Sequence, residues 1–408
     1  TRFNFTIKGP ELWGGKVVGF FECDFDGGDS ITANTTGTAT NDSSFSQAKL
    51  RLRHAMFKIS WPEREVLFGQ YWSINSEVIP DVADSGAFAI YGSTQFRVPQ
   101  VRYTQKFTDY FDASLAIEDP VNGRWGLNVN SYDPLEAETS EVPMVELKLR
   151  YEQDLYGKEG FYGKPRAFYV GLGAGYLRTR STASNGAGTP YTAWRSLGYD
   201  NYVAFTAAQT AAVQTTMNYA DHWLFLLENF TPIIPTTSKS LAGTLSLTHQ
   251  WWIGQGVSAW RLDLPGNDRY YTFSGLTNGG ANTAYTLQFI KRYGGWAQLQ
   301  YYWNDEIYTN INFGFEKAFG FNGRNYDNWI ANNINANGYI YANGTSIDPV
   351  NSNWRVGVTQ WYRPIAAVKF ALQYTYLRTN YFQSTTVGSN VSNYGNCHSI
   401  LANAWYLF

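Results

Sequence analysis

The chain closes on Cys397-His398-Ser399-Ile400-Leu401-Ala402-Asn403-Ala404-Trp405-Tyr406-Leu407-Phe408. Counted back from the terminal aromatic, Phe408, Tyr406, Ala404, Ala402 and Ile400 form an unbroken apolar row at spacing two. Successive residues of a β-strand point to opposite faces, so the whole row lies on one face of one strand. A final strand that is apolar on one side and ends on an aromatic fits a sheet closed on itself in a bilayer. Such a strand pairs with the first one and turns its greasy side to lipid.

Working outward, the same period of two runs through nearly the whole chain. Val368, Phe370, Leu372, Tyr374 and Tyr376 alternate with Lys369, Gln373 and Thr375, and Ile307, Thr309, Ile311, Phe313 and Phe315 form another outward row. Near the start, Val17, Phe21 and Phe25 alternate with Lys16, Glu22 and Asp24. Composition agrees: 17% of the 408 residues are aromatic and only 16% charged, yet no apolar run approaches the ~18 residues of a membrane helix. Nothing reads as a linker, so residues 1–408 are expected to form a single barrel domain. A soluble propeller or lectin is the competing class, and it needs a repeat period that is absent here. A net charge of −2 gives no nucleic-acid signal. No export signal precedes Thr1, and such a signal is expected to have been removed.

The expected fold is therefore all-β: a transmembrane antiparallel β-barrel with long extracellular loops and a constriction loop. Its count is about sixteen strands, the first over Trp13–Phe25 and the tenth near Arg269–Leu276. Leu287 and Phe289 mark the eleventh, Gly294-Gly295 a hairpin turn, and Gln383–Asn396 the loop before the last strand. An even count places both termini on the same side of the membrane.

If the apolar rows meet lipid, the alternating residues line a wet lumen. Lys49, Arg51 and Arg53 share one wall of it, joined by Arg102 and Lys106 and, on another strand, by Lys148 and Arg150 beside Glu146 and Glu152. Opposite them, the long loop Asp119–Pro143 carries Asp133, Glu136, Glu138 and Glu141. An arginine excess at a narrow point attracts anions, and fixed guanidinium groups bind carboxylate bidentately. The plainer reading is that these charges form lumen salt bridges that merely hold the loop.

The terminal Tyr406 and Phe408 give the last strand a resemblance to bacterial outer-membrane porins, in which a strand ending in Phe is read by the insertion machinery. The stretches Leu50-Arg51-Leu52-Arg53-His54-Ala55 and Leu67-Phe68-Gly69-Gln70-Tyr71-Trp72-Ser73 are similar to the trimeric DcaP-like porins. That resemblance implies a passive diffusion channel in the bacterial outer membrane that admits small solutes such as dicarboxylates. It also implies a homotrimer among lipids and lipopolysaccharide, with the third long loop folded into the barrel. A substrate-specific uptake channel and a loop-plugged receptor or scaffold remain as rivals.

Cys23 and Cys397 fall opposite each other if Leu12 lies opposite Phe408 across the barrel seam, which suggests a disulfide; two free thiols are the alternative. Asp24-Phe25-Asp26-Gly27-Gly28-Asp29 lacks the full ligand set of a calcium loop, and His54, His222, His249 and His398 lack metal-ligand spacing. Gly171, Gly173 and Gly175 read as room for neighbouring aromatics on a barrel wall. No Gly-x-Ser-x-Gly elbow is present, and neither enzyme activity, cofactor nor metal is expected.

Overall fold

Alternating residues that are apolar outside and polar inside can satisfy their backbone only by pairing strand to strand. The computed structural model describes residues 2–27, 49–83, 92–94, 96–119, 142–161, 164–181, 218–260, 269–274, 284–289, 291–320, 350–387 and 390–406. They form nineteen strands: β1 (Arg2–Lys8), β2 (Lys16–Gly27), β3 (Lys49–Ser60), β4 (Arg64–Trp72), β5 (Arg97–Lys106), β6 (Phe111–Glu118) and β7 (Met144–Gln153). The short β8 (Glu159–Phe161) and β9 (Lys164–Arg166) precede β10 (Phe168–Ser181), β11 (Asn218–Ile234) and β12 (Leu245–Gln255). Then come β13 (Arg269–Ser274), β14 (Ala284–Phe289), β15 (Lys291–Tyr302) and β16 (Ile307–Gly320). The last are β17 (Val350–Ile365), β18 (Val368–Val387) and β19 (Asn390–Tyr406).

Fifteen of these make one antiparallel sheet in the order β1-β2-β3-β4-β5-β6-β7-β10-β11-β12-β15-β16-β17-β18-β19. The sheet curls on itself. From β4 to β19 it spans eleven strand steps, about 53 Å at ~4.8 Å each if flat. Yet Ala83, eleven residues past Trp72 and so within about 40 Å of it at full extension, accepts a hydrogen bond from Asn403 of β19. Only a curved wall brings β19 within reach of that loop. On its outer face stand Phe5, Leu52, Leu115, Phe225, Leu372 and Ile400, all exposed, while Glu146, Gln250, Asn310 and Thr359 are buried inside. The greasy rows of the sequence are thus the outer rows of the sheet, and Tyr406 of the terminal row is among them, 70% exposed. Phe408 lies outside the described residues.

Three expectations are corrected. Two expected strands, β13 and β14, pair only with each other as a separate hairpin, and β1 adds one that was not expected. In consequence β1 and β19 run in the same direction, and the described termini lie at opposite ends of the sheet. The Gly294-Gly295 pair is not a turn but lies inside β15, where a Cβ on Gly294 would stand 2.9 Å from the Trp252 ring. The supposed loop Gln383–Asn396 is mostly paired strand, with Thr385 opposite Ser392 and Thr386 opposite Val391, as their β-branched residues favour.

The disulfide is also overturned. Cys23 and Cys397 are both free thiols. The seam argument assumed that Cys23 lay on the outermost strand, whereas β1 pairs with that edge and sets Phe3 beside Cys23. Cys23 is buried and Cys397 exposed. A bulky maleimide should therefore label one thiol of the folded protein in detergent and both after unfolding. Equal labelling of both in the folded state would contradict this placement.

Candidate functional site: the in-turned loop and the arginine wall

Among the described residues, a long connection that enters the barrel is the one between β4 and β5. Its stretch Ser73-Ile74-Asn75-Ser76-Glu77-Val78 is mostly buried, with Val78 and Asn75 fully so. Its backbone is caught by inward polar side chains from the far wall: Gln298 accepts from the Asp81 amide (2.9 Å) and Gln373 from the Ala83 amide (2.7 Å). Gln250 accepts from the Thr94 amide (2.9 Å), and the Asn310 amide donates to the Asp81 carbonyl (2.8 Å). An irregular loop inside a barrel must have its polar groups paired in this way.

Two carboxylates lock the loop. Glu77 sits among Lys148 (3.1 Å), Arg150 (3.0 Å) and Arg166 (3.0 Å), and Tyr169 donates to it at 3.1 Å. Burial opposes the charge on Glu77, but Lys148, then Arg150 and Arg166, outweigh it and hold this carboxyl well below the usual carboxylate range. Lys148 also donates to Glu228 and to the Ile74 carbonyl, and Arg150 to Asp112 at 3.0 Å. Farther along, Asp81 accepts from Tyr308 (3.0 Å) and Lys369 (3.3 Å), and Lys369 stands 3.5 Å from the centre of the Trp361 ring. Tyr302, Tyr308 and Trp361 stack in a row beneath Ala83.

The glycines at spacing two seat this loop. A Cβ on Gly173 would collide with Asn75 Oδ1, one on Gly171 with Tyr169, and one on Gly175 would stand 2.8 Å from Trp260. A Gly173→Val barrel is expected to fold with the loop displaced from its seat. Limited proteolysis should then cut within residues 73–83 at least tenfold faster, and an unchanged rate would deny Gly173 this role.

The basic wall of the sequence reading divides in two. Lys148 and Arg150 hold the loop. Four strands earlier in the sheet, on β3, Arg51 grips Asp24 with both ends of its guanidinium (2.9 and 2.7 Å), and Arg53 reaches Glu22 (2.6 Å) and Asp24 (2.7 Å). These arginines face inward because Leu50 and Leu52, which alternate with them, are exposed on the outer face. Arg2 lies 3.8 Å from Glu22, and Arg97, at the start of β5, is within electrostatic reach of Arg51, Arg53 and Asp24. Four guanidinium groups thus surround two carboxylates. Lys49 opens β3 opposite Gly27. Arg102 donates to Gln100 (2.9 Å) and to the Trp72 carbonyl, and Lys106 is exposed at the short-turn end.

The acidic residues expected to face this wall, Asp133, Glu136, Glu138 and Glu141, lie outside the described residues. The carboxylates that do lock an in-turned loop, Glu77 and Asp81, were missed. A signal for them existed: Ile74, Val78, Ile79 and Val82 make this loop too apolar to face water. Among the described residues no group of three or more His, Cys, Asp or Glu could hold a metal ion.

No family model matches the chain, and no curated protein matches it. Among solved structures, in-vitro folded OmpT, an outer membrane protein of Vibrio cholerae, is similar over 100% of this chain and 95% of its own, at 11% identity and a TM-score of 0.44. An anion-selective porin from Comamonas acidovorans is similar over 100% and 84%, at 9% identity and a TM-score of 0.45. OmpF of Salmonella typhi is similar over 99% and 89%, at 11% identity and a TM-score of 0.48. At these values the function rests on the chain's own geometry.

Proposed function

We propose that this protein is a porin of the bacterial outer membrane, a passive channel for small hydrophilic solutes with a preference for anions such as carboxylates. The observation that carries this reading is the division of the inner surface. Most described contacts of the in-turned loop fall on the wall from β6 to β19, while the arginine cluster occupies the wall of β1, β2, β3 and the start of β5. A path between them passes an excess of fixed guanidinium, which favours anions and offers carboxylates a bidentate partner. Similarity to the DcaP-like porins in the segments 50–55 and 67–73 supports a dicarboxylate as solute. It also supports a homotrimer, for which the outer rows of β2–β7, with Phe21, Phe57, Leu115 and Leu147, offer an apolar face.

Single-channel recording in planar bilayers tests the reading: open steps with anion-over-cation permeability are expected, and cation preference would sink the anion reading. Crosslinking in mild detergent tests the trimer, and monomer alone would count against it. One observation favours a second reading, a loop-plugged barrel. The hairpin of β8 and β9 also packs inward, with Phe161 against Phe230 and Glu159 fully buried beside Thr244. A barrel that inserts but never conducts would decide for the plug.

A further inference from the structure

Along the inward row of β11, Leu224, Leu226 and Phe230 are buried, and so, completely, is the carboxylate of Glu228. Among the described residues its partners all belong to the barrel wall. They are Lys148 of β7, the Tyr169 hydroxyl of β10 (2.9 Å) and the Gln250 side-chain amide of β12, which donates to it at 2.8 Å.

Each of these three partners in turn reaches the in-turned loop. Lys148 donates to the Ile74 carbonyl (2.9 Å) and lies 3.1 Å from Glu77, so the three N–H groups of its ammonium meet three acceptors. The Tyr169 hydroxyl lies 3.1 Å from Glu77 as well. Gln250 accepts from the Thr94 amide (2.9 Å). Ile74 and Glu77 stand on the first stem of the loop and Thr94 on the last. The Thr94 hydroxyl donates to the Asn75 carbonyl (2.8 Å), which ties the stems to each other. The two stems thus close a circuit through the wall, and Glu228 is its midpoint.

A buried ion pair is weak evidence of stability. What this one supplies is direction. A carboxylate only accepts hydrogen bonds, so Gln250 must turn its NH2 toward Glu228. Its oxygen is then left for the Thr94 amide and for the Trp296 indole N–H (3.3 Å). Every bond on the circuit takes its sense from this one acceptor. We propose that Glu228 is a positioning residue of the in-turned loop: without touching it, this carboxylate orients Lys148 and Gln250 and so seats both stems. The consequence for conductance rests on the porin reading.

The test follows hydrogen exchange of the Thr94 amide in the folded full chain in detergent, using isotope-labelled threonine. Glu228→Gln keeps the shape of the side chain and changes its polarity. Its oxygen can still accept from Lys148 and Tyr169, but its NH2 then faces Gln250. Gln250 must flip, setting its own NH2 against the Thr94 amide. Thr94 should exchange about tenfold faster, the contribution of one buried hydrogen bond. Glu228→Gln with Gln250→Glu restores the sense at unchanged net charge, because the new amide donates to the new carboxylate, which also accepts from Thr94. This swap should return the wild-type rate.

Wild-type exchange in the single variant would overturn the proposal, since a side chain that merely filled space is replaced there by one of the same shape. So would a swap that exchanges as fast as the single variant. If the single variant does not fold, the swap decides alone: a folded barrel with wild-type exchange at Thr94 supports the relay, and a swap that also fails to fold overturns it. Planar-bilayer recording should show added flicker in the single variant and a wild-type current in the swap. Silent bilayers together with the expected exchange pattern would sink the channel reading and leave the role of Glu228 standing.

Discussion

Glu77→Gln is expected to release the in-turned loop and to enlarge the conducting path. The wild-type carboxylate gathers Lys148, Arg150 and Arg166 around one point, each within 3.1 Å. A neutral amide of the same shape leaves three cations crowded against each other in a largely enclosed space. Removing one member of a buried ionic cluster destabilises by about 3–5 kcal/mol, much of it the cost of the charges left behind. The loop has a second anchor at Asp81, so the barrel should survive while residues 73–78 come away. Planar-bilayer recording should report a larger unit conductance with added flicker, and heat-modified gel mobility should report earlier unfolding. The pH dependence has a definite sign. The folded carboxyl titrates well below its unfolded value, so its contribution is present above the ordinary carboxylate range and is lost as pH falls through the lowered value. Wild-type conductance should therefore stay flat from about pH 8 down to about pH 5, opening only in stronger acid. A step near neutral pH would mean that some other group holds the loop.

The outer face of this molecule was legible in the sequence because lipid enforces it. A strand that meets hydrocarbon on one side must alternate, and fourteen strands of the main sheet coincide with segments whose period could be read directly. β1 escaped because Phe3, Phe5 and Ile7 form too short a row to separate from a polar terminus. The lumen was less legible for a physical reason. Inside, selection is for pairing, and a glutamine such as Gln250 that accepts from a loop amide looks the same in sequence as one facing water. The basic residues could be placed on the inner wall by parity, yet parity says nothing of their partners. Lys148 and Arg150 proved to hold a loop, whereas Arg51 and Arg53 proved to be paired with Glu22 and Asp24 from the adjacent strand. The bulge between Glu22 and Cys23, which turns both Arg53 and His54 inward, has no sequence mark at all.

That pairing changes what a charge deletion should do. Were the arginines free, removing Arg51 and Arg53 would simply lower the anion preference. Among the described residues the wall holds Arg2, Arg51, Arg53 and Arg97 against Glu22 and Asp24, an excess of two positive charges within this group. Arg51→Ala with Arg53→Ala leaves two cations against two anions, and adding Arg97→Ala leaves one cation against two anions. The double variant should lose its selectivity, and the triple variant should prefer cations. A unit charge acts on an ion about 4 Å away with roughly 1 kcal/mol in water, close to a fivefold change in local occupancy. The anion-to-cation permeability ratio should therefore fall by about tenfold or more across the series in dilute salt. In roughly 1 M salt the Debye length shrinks to about 3 Å and most of the change should vanish. A converse variant separates charge from structure: Glu22→Gln with Asp24→Asn keeps all four arginines and should raise the anion preference, although Arg53 loses its two closest partners. Reversal potentials in a salt gradient measure every member of the series. If all of them reverse at the wild-type voltage, the ions pass elsewhere and this wall serves only to brace β2 against β3.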